Sequence, residues 1–315
     1  MLLAVLLLAL RAQAAELIPM GQAVGIEAKT DGLLVTGFAD IETPEGVVSP
    51  AKDAGLKEGD VIRSVAGRDV RAPEDLAAAL ETVQEKTTIR VDRGGLEKKC
   101  VVTPYRGEDG TLRLGLWLRD GVTGIGTVTY CDPATGAYGA LGHGITDEES
   151  GKLLPIESGE IVRADISGAR QGKDGEAGEL TGSIRGAEAF GSVEENSVFG
   201  IFGAMTEIPA LGTVETAADD EVHTGDAIIR ATVAGQETRD YSAKIDRVYR
   251  EQGCTRYLLT VTDENLLKTT GGIVQGMSGS PILQDGRLVG AVTHVLLNDP
   301  TRGYGLSIET MLAAA

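Results

Sequence analysis

Residues Gly276-Met277-Ser278-Gly279-Ser280-Pro281 form a serine- and glycine-rich turn that leads into two apolar runs, 281–283 and 288–292. The Asp285-Gly286 pair between the runs favours a β-hairpin. A serine on a tight turn between glycines can project its hydroxyl into a cleft while neighbouring backbone N–H groups converge on one point. Glycine and serine are also common in turns that have no catalytic function. The segment therefore predicts a β-hairpin preceded either by a nucleophile or by a simple turn.

The composition favours a β-rich fold with two domains. The 315 residues are enough for two hydrophobic cores, and the 43 glycines indicate many tight turns. We therefore expect a mainly β chain, α+β overall. The 29 lysines and arginines against 47 aspartates and glutamates give a net charge of -18, which would repel nucleic acid and anionic membrane surfaces. Nucleic-acid binding is accordingly not expected.

The cysteines and histidines give no indication of a metal or a cofactor. Cys100, Cys131 and Cys254 lie far apart in the chain and fit no C-x-x-C spacing. The three histidines lack the neighbouring Cys/His pairs of a zinc site. His223 lies in an acidic stretch that we interpret as a solvated loop. We predict no metal, no cofactor and no disulfide of structural importance.

Residues 1–15 predict a signal peptide or an N-terminal membrane anchor. The apolar run from Leu2 to Leu10 is short for a membrane span, and Ala12-Gln13-Ala14 has the small residues of a signal-peptidase site. A basic segment before the run is missing, and a buried helix is the alternative interpretation. We expect export from the cytoplasm, with membrane contact through this segment only.

Residues 18–104 predict one small module of strands and short helices. An apolar segment at 32–37 is bounded by turn signals, and Pro73-Glu74-Asp75-Leu76 opens a helix with acidic residues in its first turn. Between them, Ala54-Gly55-Leu56-Lys57-Glu58-Gly59-Asp60-Val61-Ile62 indicates a turn that enters a strand. This order of elements resembles a PDZ domain.

The resemblance to a PDZ domain implies a bound peptide that adds as an extra strand and whose C-terminal carboxylate is held by backbone N–H groups of a loop. It places that loop at Gln22, Ala23, Val24 and Gly25 and the groove wall at Ile26. The bound segment would be a peptide substrate or part of the chain itself. The alternative is a module that only packs against its neighbour.

A larger second domain is expected over residues 112–315, after a linker around 106–111. It begins with Leu114-Gly115-Leu116-Trp117-Leu118, whose tryptophan we interpret as a core anchor. Further on, His143 lies between glycines at the end of an apolar strand, where its ring can reach a cleft. Imidazole titrates near neutral pH, so His143 is a candidate general base. A histidine with only a structural hydrogen bond is the alternative.

Asp263 ends the apolar strand predicted at 257–263 and precedes a short helix. An aspartate at such a position commonly caps the N-terminus of the helix. It could instead orient the imidazole of His143, and the residues alone leave both roles open.

Three stretches together resemble the stage IV sporulation protein B peptidases, which are PDZ-containing serine endopeptidases of endospore-forming bacteria. The stretches are Ala140-Leu141-Gly142-His143-Gly144, the segment 271–282 and the segment 290–305, and the likeness extends from Leu17 to Met311. The resemblance implies a PDZ domain followed by a chymotrypsin-like β-barrel serine peptidase domain, exported into the forespore intermembrane space. In the family, the enzyme cleaves a regulatory membrane protein that holds an intramembrane metalloprotease inactive, so that a late sigma factor is processed. Self-cleavage is also a family trait.

The family's nucleophile, base and aspartate fall on Ser278, His143 and Asp263, and its oxyanion hole on the N–H groups of Gly276 and Ser278. The order His, Asp, Ser is that of chymotrypsin-type enzymes, although Asp263 lies unusually close to Ser278 in the chain. This closeness leaves Asp147 and Asp299 as alternative third members.

Ser280 and His294 are rival candidates for the nucleophile and the base. Pro281 follows Ser280 and has no N–H to offer an oxyanion hole, which favours Ser278. His294 follows an apolar strand, so we expect it near the cleft or in a structural hydrogen bond.

A function of another class also remains open: an exported peptide-binding scaffold whose protease fold is inactive. The presence of serine, base and oxyanion glycine favours the enzyme.

Overall fold

The computed structural model describes residues 14–147, 151–173 and 175–315. Residues 1–13 of the predicted signal segment lie outside this range. Within it, no helix has both the length and the apolar character that a membrane span requires. Strands dominate the chain, which confirms the prediction of a mainly β fold.

From residue 14 to residue 147 the chain contains twelve strands and two short helices: β1 (Glu16–Pro19), β2 (Ala23–Phe38), β3 (Ile41–Thr43), β4 (Gly46–Val48), α1 (Pro50–Asp53), β5 (Val61–Val65), β6 (Arg68–Asp69), α2 (Pro73–Leu80), β7 (Thr87–Asp92), β8 (Glu97–Val102), β9 (Tyr105–Arg106), β10 (Leu112–Arg113), β11 (Leu116–Cys131) and β12 (Ala137–Ala140). The second half continues with β13 (Ile156–Arg170), β14 (Glu179–Val193), β15 (Glu195–Ser197), β16 (Gly200–Ala204), β17 (Val214–Glu215), β18 (Gly225–Ala231), β19 (Arg239–Glu251), β20 (Cys254–Val261), α3 (Glu264–Thr270), β21 (Pro281–Gln284), β22 (Arg287–Leu296), β23 (Asp299–Ser307) and α4 (Ile308–Leu312).

Two long strands, β2 and β11, connect the parts of the first half. They pair antiparallel over almost their whole length. At one end they belong to a sheet in which β13 flanks β2 and β12 flanks β11. This end packs on a core that includes Ile18, Val24, Val128, Ile161 and Ile201. We call this part the first sheet.

At the other end, β2 and β11 form a small module with β5, β7, β8 and α2. There β2 pairs with β5, and β5 pairs with β7. The core of the module is separate from that of the first sheet and includes Leu33, Val35, Ile62, Ile89 and Leu80. The chain thus enters the module along β2 and leaves it along β11.

The structure corrects the domain boundaries expected at 18–104 and 112–315. Residues 23–28 pair with β11 and β13 in the first sheet, whereas Leu116 and Leu118 pack against the core of the small module. The linker expected at 106–111 is the turn of the β9–β10 hairpin. Because two continuous strands run through both parts, the small module is an insertion within the first sheet, not a separate N-terminal domain.

The second half of the chain closes into a barrel in the order β18-β19-β20-β23-β22-β21. Alternate residues of β20 point inwards, as a strand with one buried face requires. Buried Tyr257 of this strand donates a hydrogen bond to the carbonyl of Val289 across the barrel, at 3.0 Å. The predicted hairpin is β21–β22. Its turn residues Asp285 (φ 52°) and Gly286 (φ 77°) are both left-handed, as in the tight turns that Asp-Gly favours.

Candidate active site

A cleft of about 600 Å³ brings the main predicted site residues together. Its lining includes His143 from the loop after β12 and both Gly276 and Ser278 from the loop before β21. The cleft therefore lies where the first sheet meets the closed barrel. Asp263 is not part of the lining.

The loop before Ser278 directs two backbone N–H groups into this cleft. The carbonyl of Gln275 accepts a hydrogen bond from the Leu180 N–H at 2.8 Å, and the carbonyl of Met277 accepts one from the Ser280 N–H at 2.9 Å. In a trans peptide the N–H points opposite to the C=O, so the N–H groups of Gly276 and Ser278 face away from these anchors. No hydrogen bond among the described residues occupies either N–H. They form a candidate oxyanion hole.

Gly276 is required for this arrangement. Its φ of 95° lies in the left-handed region, and a Cβ at this position would lie 3.0 Å from Leu180 Cδ1. A larger residue would be strained and would press on the strand that anchors the Gln275 carbonyl. A glycine at this position of the motif therefore allows the backbone conformation that orients the Gly276 N–H.

Thr127 of β11, at the end of the pairing with β2, holds the same loop from the other side. Its hydroxyl donates to the Gly276 carbonyl at 2.8 Å, and its N–H donates to the Ser278 carbonyl at 3.0 Å. Its own carbonyl accepts the Leu141 N–H at 3.1 Å, two residues before His143. The side chain is 1% exposed. One residue thus connects the serine loop of the barrel to the histidine loop of the first sheet.

The histidine loop has an unusual backbone conformation. Leu141 (φ 69°) and Gly142 (φ 67°) are both left-handed, which is uncommon for leucine and typical of strained turns at functional sites. Asn196 fixes the other side of the loop, because its side-chain oxygen accepts the Ile145 N–H at 2.8 Å and its amide donates to the Ile145 carbonyl at 2.9 Å. The same amide donates to the Leu154 carbonyl at 2.9 Å. The position of His143 is therefore fixed from both directions.

His143 is set up as a neutral base. Its Nδ1 lies 2.9 Å from the Gly144 carbonyl, and because a carbonyl only accepts, Nδ1 carries the proton and Nε2 presents a lone pair. Burial lowers the pKa of His143, although the Gly144 carbonyl acts in the opposite direction. The ring therefore stays unprotonated below the pH range of an ordinary histidine.

His294 lies beside His143 at the mouth of the cleft. The two ring centroids are 4.7 Å apart, with the planes tilted by 34°. Desolvation, followed by the charges of His143 and Arg256, lowers the pKa of His294, although the residue is exposed to solvent. The expected position of His294 near the cleft agrees with the structure. Two neutral imidazoles consequently share one site.

The Ser278 hydroxyl donates to the carbonyl of Thr293 at 2.7 Å. It therefore points along β22 in this structure and makes no hydrogen bond with His143. The rival Ser280 is 0% exposed and does not line the cleft. Of the two serines in the motif, only Ser278 is positioned to meet a substrate.

Asp263 caps α3 and does not orient His143. Its Oδ1 accepts the N–H groups of Asn265 and Leu266 at 2.9 and 3.0 Å. Its carboxylate belongs to the closed barrel, whereas Nδ1 of His143 is bonded within the first sheet. The structure thus corrects the role carried over for Asp263. Neither Asp147 nor Asp299 lines the cleft, and Asp299 Oδ1 accepts the N–H of Thr301 at 3.2 Å.

The structure also corrects the peptide-binding loop expected at Gln22, Ala23, Val24, Gly25 and Ile26. Gln22 directly precedes β2 and the other four residues open that strand within the first sheet, with Ile26 paired to Gly124 of β11 on one side and to Ile161 of β13 on the other. A strand that is paired on both sides has no edge to which a peptide could add. Ile26 instead lines the cleft that holds His143.

Thr127 and Asn196 are site residues that the sequence does not reveal. Each acts on a loop that is distant in the chain, and each has an ordinary sequence context. Only the pairing of strands brings them to the loops that they hold.

Replacement of Thr127 by valine tests its role as a positioning residue. Valine keeps the shape of the side chain but leaves the Gly276 carbonyl without its partner, so we expect kcat to fall roughly tenfold to a hundredfold with little change in KM. Thr127→Ser keeps the hydroxyl and should retain most of the activity. Both variants are measured for peptide turnover and for urea unfolding. Equal activity of the two variants would show that the hydroxyl has no catalytic consequence.

Replacement of Asp263 by asparagine separates capping from catalysis. Asparagine caps a helix about as well as aspartate, so the structure predicts nearly unchanged stability and turnover. Asp263→Ala should lose about 1 kcal/mol of unfolding free energy. A fall in kcat of about ten thousandfold in the asparagine variant, as for a carboxylate that orients a catalytic histidine, would restore the triad role.

Solved structures with some likeness to the chain include two forms of one protease. The active form of the Rv3671c protease from M. tuberculosis matches with a TM-score of 0.37 and 14% identity, over 62% of this chain and 73% of that one. Its inactive form matches with a TM-score of 0.35 and 15% identity, over 61% and 82%. No curated protein matches the sequence.

Two family models match the sequence. A PDZ domain model matches residues 45–93, which lie in the small module. The model described as SpoIVB peptidase S55 matches residues 110–312. That range contains the histidine loop, the serine loop and the whole closed barrel, and it spans more than half of the chain. The chain is a serine endopeptidase with a PDZ domain and belongs to the SpoIVB peptidase family S55.

Proposed function

We propose that Ser278 is the nucleophile of this endopeptidase, that His143 is its base, and that the N–H groups of Gly276 and Ser278 stabilise the oxyanion. The observation that carries this proposal is the meeting of all three in one cleft, with both N–H groups directed by anchored carbonyls. Such a set is sufficient for acyl transfer.

The reaction begins when the Ser278 hydroxyl turns from the Thr293 carbonyl towards Nε2 of His143. His143 takes the proton while the serine oxygen attacks the peptide carbonyl. The oxyanion that forms is stabilised by the two N–H groups, and His143 then protonates the leaving amine. A water activated by the same imidazole hydrolyses the acyl-enzyme.

The Gly144 carbonyl takes the orienting role that a carboxylate has in a Ser-His-Asp triad. It fixes the tautomer of His143 through the 2.9 Å hydrogen bond to Nδ1. A carbonyl carries no full charge, so it stabilises the imidazolium less than an aspartate does. The site is therefore a Ser-His pair with a backbone partner.

Membership of the SpoIVB peptidase family and the apolar run 2–10 support a role in sporulation. In this proposal, residues 1–15 direct export into the forespore intermembrane space and can anchor the chain there. The substrate is a membrane-associated regulator of an intramembrane protease, whose cleavage leads to processing of a late sigma factor. The enzyme also cleaves itself.

The PDZ module offers a peptide site on β11 in place of the one expected at 22–26. Residues Leu116 to Leu118 pair with β2 on one side only among the described strands. The carbonyls of Leu114 and Gly115 accept the N–H groups of Ala51 and Ala39, so the N–H groups of the next residues face outwards. Outward N–H groups beside an open strand edge suit a peptide that ends in a carboxylate.

The apolar side chains around this edge are suited to the side chains of such a peptide. Leu116 and Leu118 are only partly buried on the core of the module, as is Leu76 of α2. Trp117 is 63% exposed. The prediction that this tryptophan anchors a core was therefore wrong. A peptide on this edge would lie directly beside the only tryptophan of the chain.

Incubation of the purified chain and of its Ser278→Ala variant, followed by mass spectrometry of the fragments, tests the catalytic assignment. We expect cleavage of peptide substrates and of the chain itself in the wild type and neither in the variant, because alanine removes the nucleophile. His143→Ala should fail in the same way. Undiminished cleavage by Ser278→Ala would refute the assignment and favour an inactive scaffold with a contaminating protease.

The fluorescence of Trp117 tests the peptide site. In the full-length Ser278→Ala chain, a short peptide with an apolar C-terminal residue should shift the emission in a saturable way, because it adds beside the tryptophan. The same peptide with an amidated C-terminus should bind at least about tenfold more weakly, since the outward N–H groups lose a charged acceptor. Equal responses to the two peptides would contradict the carboxylate site.

A further inference from the structure

The described part of the active-site cleft is lined by uncharged and apolar residues, with two histidines. Among the described residues that line it there is no Asp, Glu, Lys or Arg, although 24% of the chain is charged. Its histidines, His143 and His294, both have a lowered pKa, chiefly because of desolvation. The described lining of the cleft thus contrasts with the strongly acidic composition of the chain.

The oxyanion N–H groups define where the side chain next to the scissile bond must lie. The attacked carbonyl oxygen would lie against the N–H groups of Gly276 and Ser278, and the side chain of the same residue branches from the Cα that is bonded to the carbonyl carbon. Two segments line the cleft on either side of Ser278, namely the segment leading to Gly276 and the part of β22 that follows Thr293. The residues of these two segments that line the cleft include Ile273, Val274 and Val295.

The apolar wall is built into the barrel. Ile273 and Val274 are 1% and 2% exposed, and Val295 packs partly buried against the same core. Gly303, which pairs with Val295, makes room for this wall, because a Cβ there would lie 2.6 Å from Ile273 Cδ1. The wall is thus held by backbone geometry as well as by side-chain packing.

The backbone of a substrate has a strand edge beside this wall. β21 pairs with β22 only from Arg287 to Ala291, whereas Val295 pairs with β23 alone among the described strands. An extended peptide can add at this edge. Its side chains would then alternate between the apolar wall and solvent.

We propose that this enzyme selects peptides with an uncharged aliphatic side chain, such as valine, leucine or isoleucine, immediately N-terminal to the scissile bond. The inference rests on the proposed roles of Ser278 and Gly276, since they place the scissile bond. An aliphatic side chain loses unfavourable contact with water when it lies against Ile273, Val274 and Val295. A charged one would lose its hydration and meet no opposite charge.

Cleavage of an unbiased peptide mixture by the full-length wild-type chain, with mass spectrometry of the products, tests this selection. Cuts that depend on Ser278 should follow aliphatic residues at least about tenfold more often than Lys, Arg, Asp or Glu. Ser278-dependent cuts without this preference would overturn the inference and leave the proposed function intact. A complete absence of Ser278-dependent cuts would overturn the proposed function, and the inference with it.

Val295→Glu gives a second, directional measurement. A carboxylate on the wall should raise cleavage after Lys and Arg at least about tenfold relative to cleavage after aliphatic residues. Val47→Glu is the matched control, because Val47 is 65% exposed on the β3–β4 hairpin of the small module, and it should keep the wild-type preference. An unchanged preference in a folded Val295→Glu enzyme would show that this wall does not contact the selected side chain.

Discussion

The pairing of β2 with β11 is the constraint on which the rest of the structure depends. The two strands form a core with the small module at one end and another with the first sheet at the other. At the inner end of this pair, Thr127 bonds the serine loop and the histidine loop together. A change in the register of these strands would therefore displace the loops that carry Ser278 and His143.

In the proposed mechanism the backbone of the site is already arranged for the reaction, whereas one side chain is not. The Gly276 and Ser278 N–H groups are directed by hydrogen bonds that exist without substrate, so little reorganisation is left for the transition state. The Ser278 hydroxyl, in contrast, is bonded to the Thr293 carbonyl. In the proposed mechanism the hydroxyl turns away from this carbonyl before it attacks, and a substrate that adds beside β22 would lie next to that carbonyl.

The proposed peptide edge of the PDZ module lies on the same strand, β11, as Thr127, which bonds to both the serine loop and the histidine loop. Leu118 and Thr127 are both in β11, separated by about 30 Å at the usual rise of a strand. A peptide held on the edge at Leu116–Leu118 would thus keep a substrate near the cleft. This arrangement follows from the insertion of the module into the first sheet, because a module on a flexible linker would not fix that separation.

The sequence by itself determined the local elements of this protein. Glycine positions and apolar runs predicted the β-rich fold and the β21–β22 hairpin, and the motifs around His143 and Ser278 identified two residues that the structure brings into one cleft. These features depend on neighbours within a few residues, which a sequence shows directly.

Tertiary structure alone decided that the PDZ module is inserted, that Asp263 caps α3, that 22–26 is an interior strand, and that Thr127 joins the two loops. Each of these depends on pairing between segments far apart in the chain, and no local pattern specifies which strand becomes the neighbour of which.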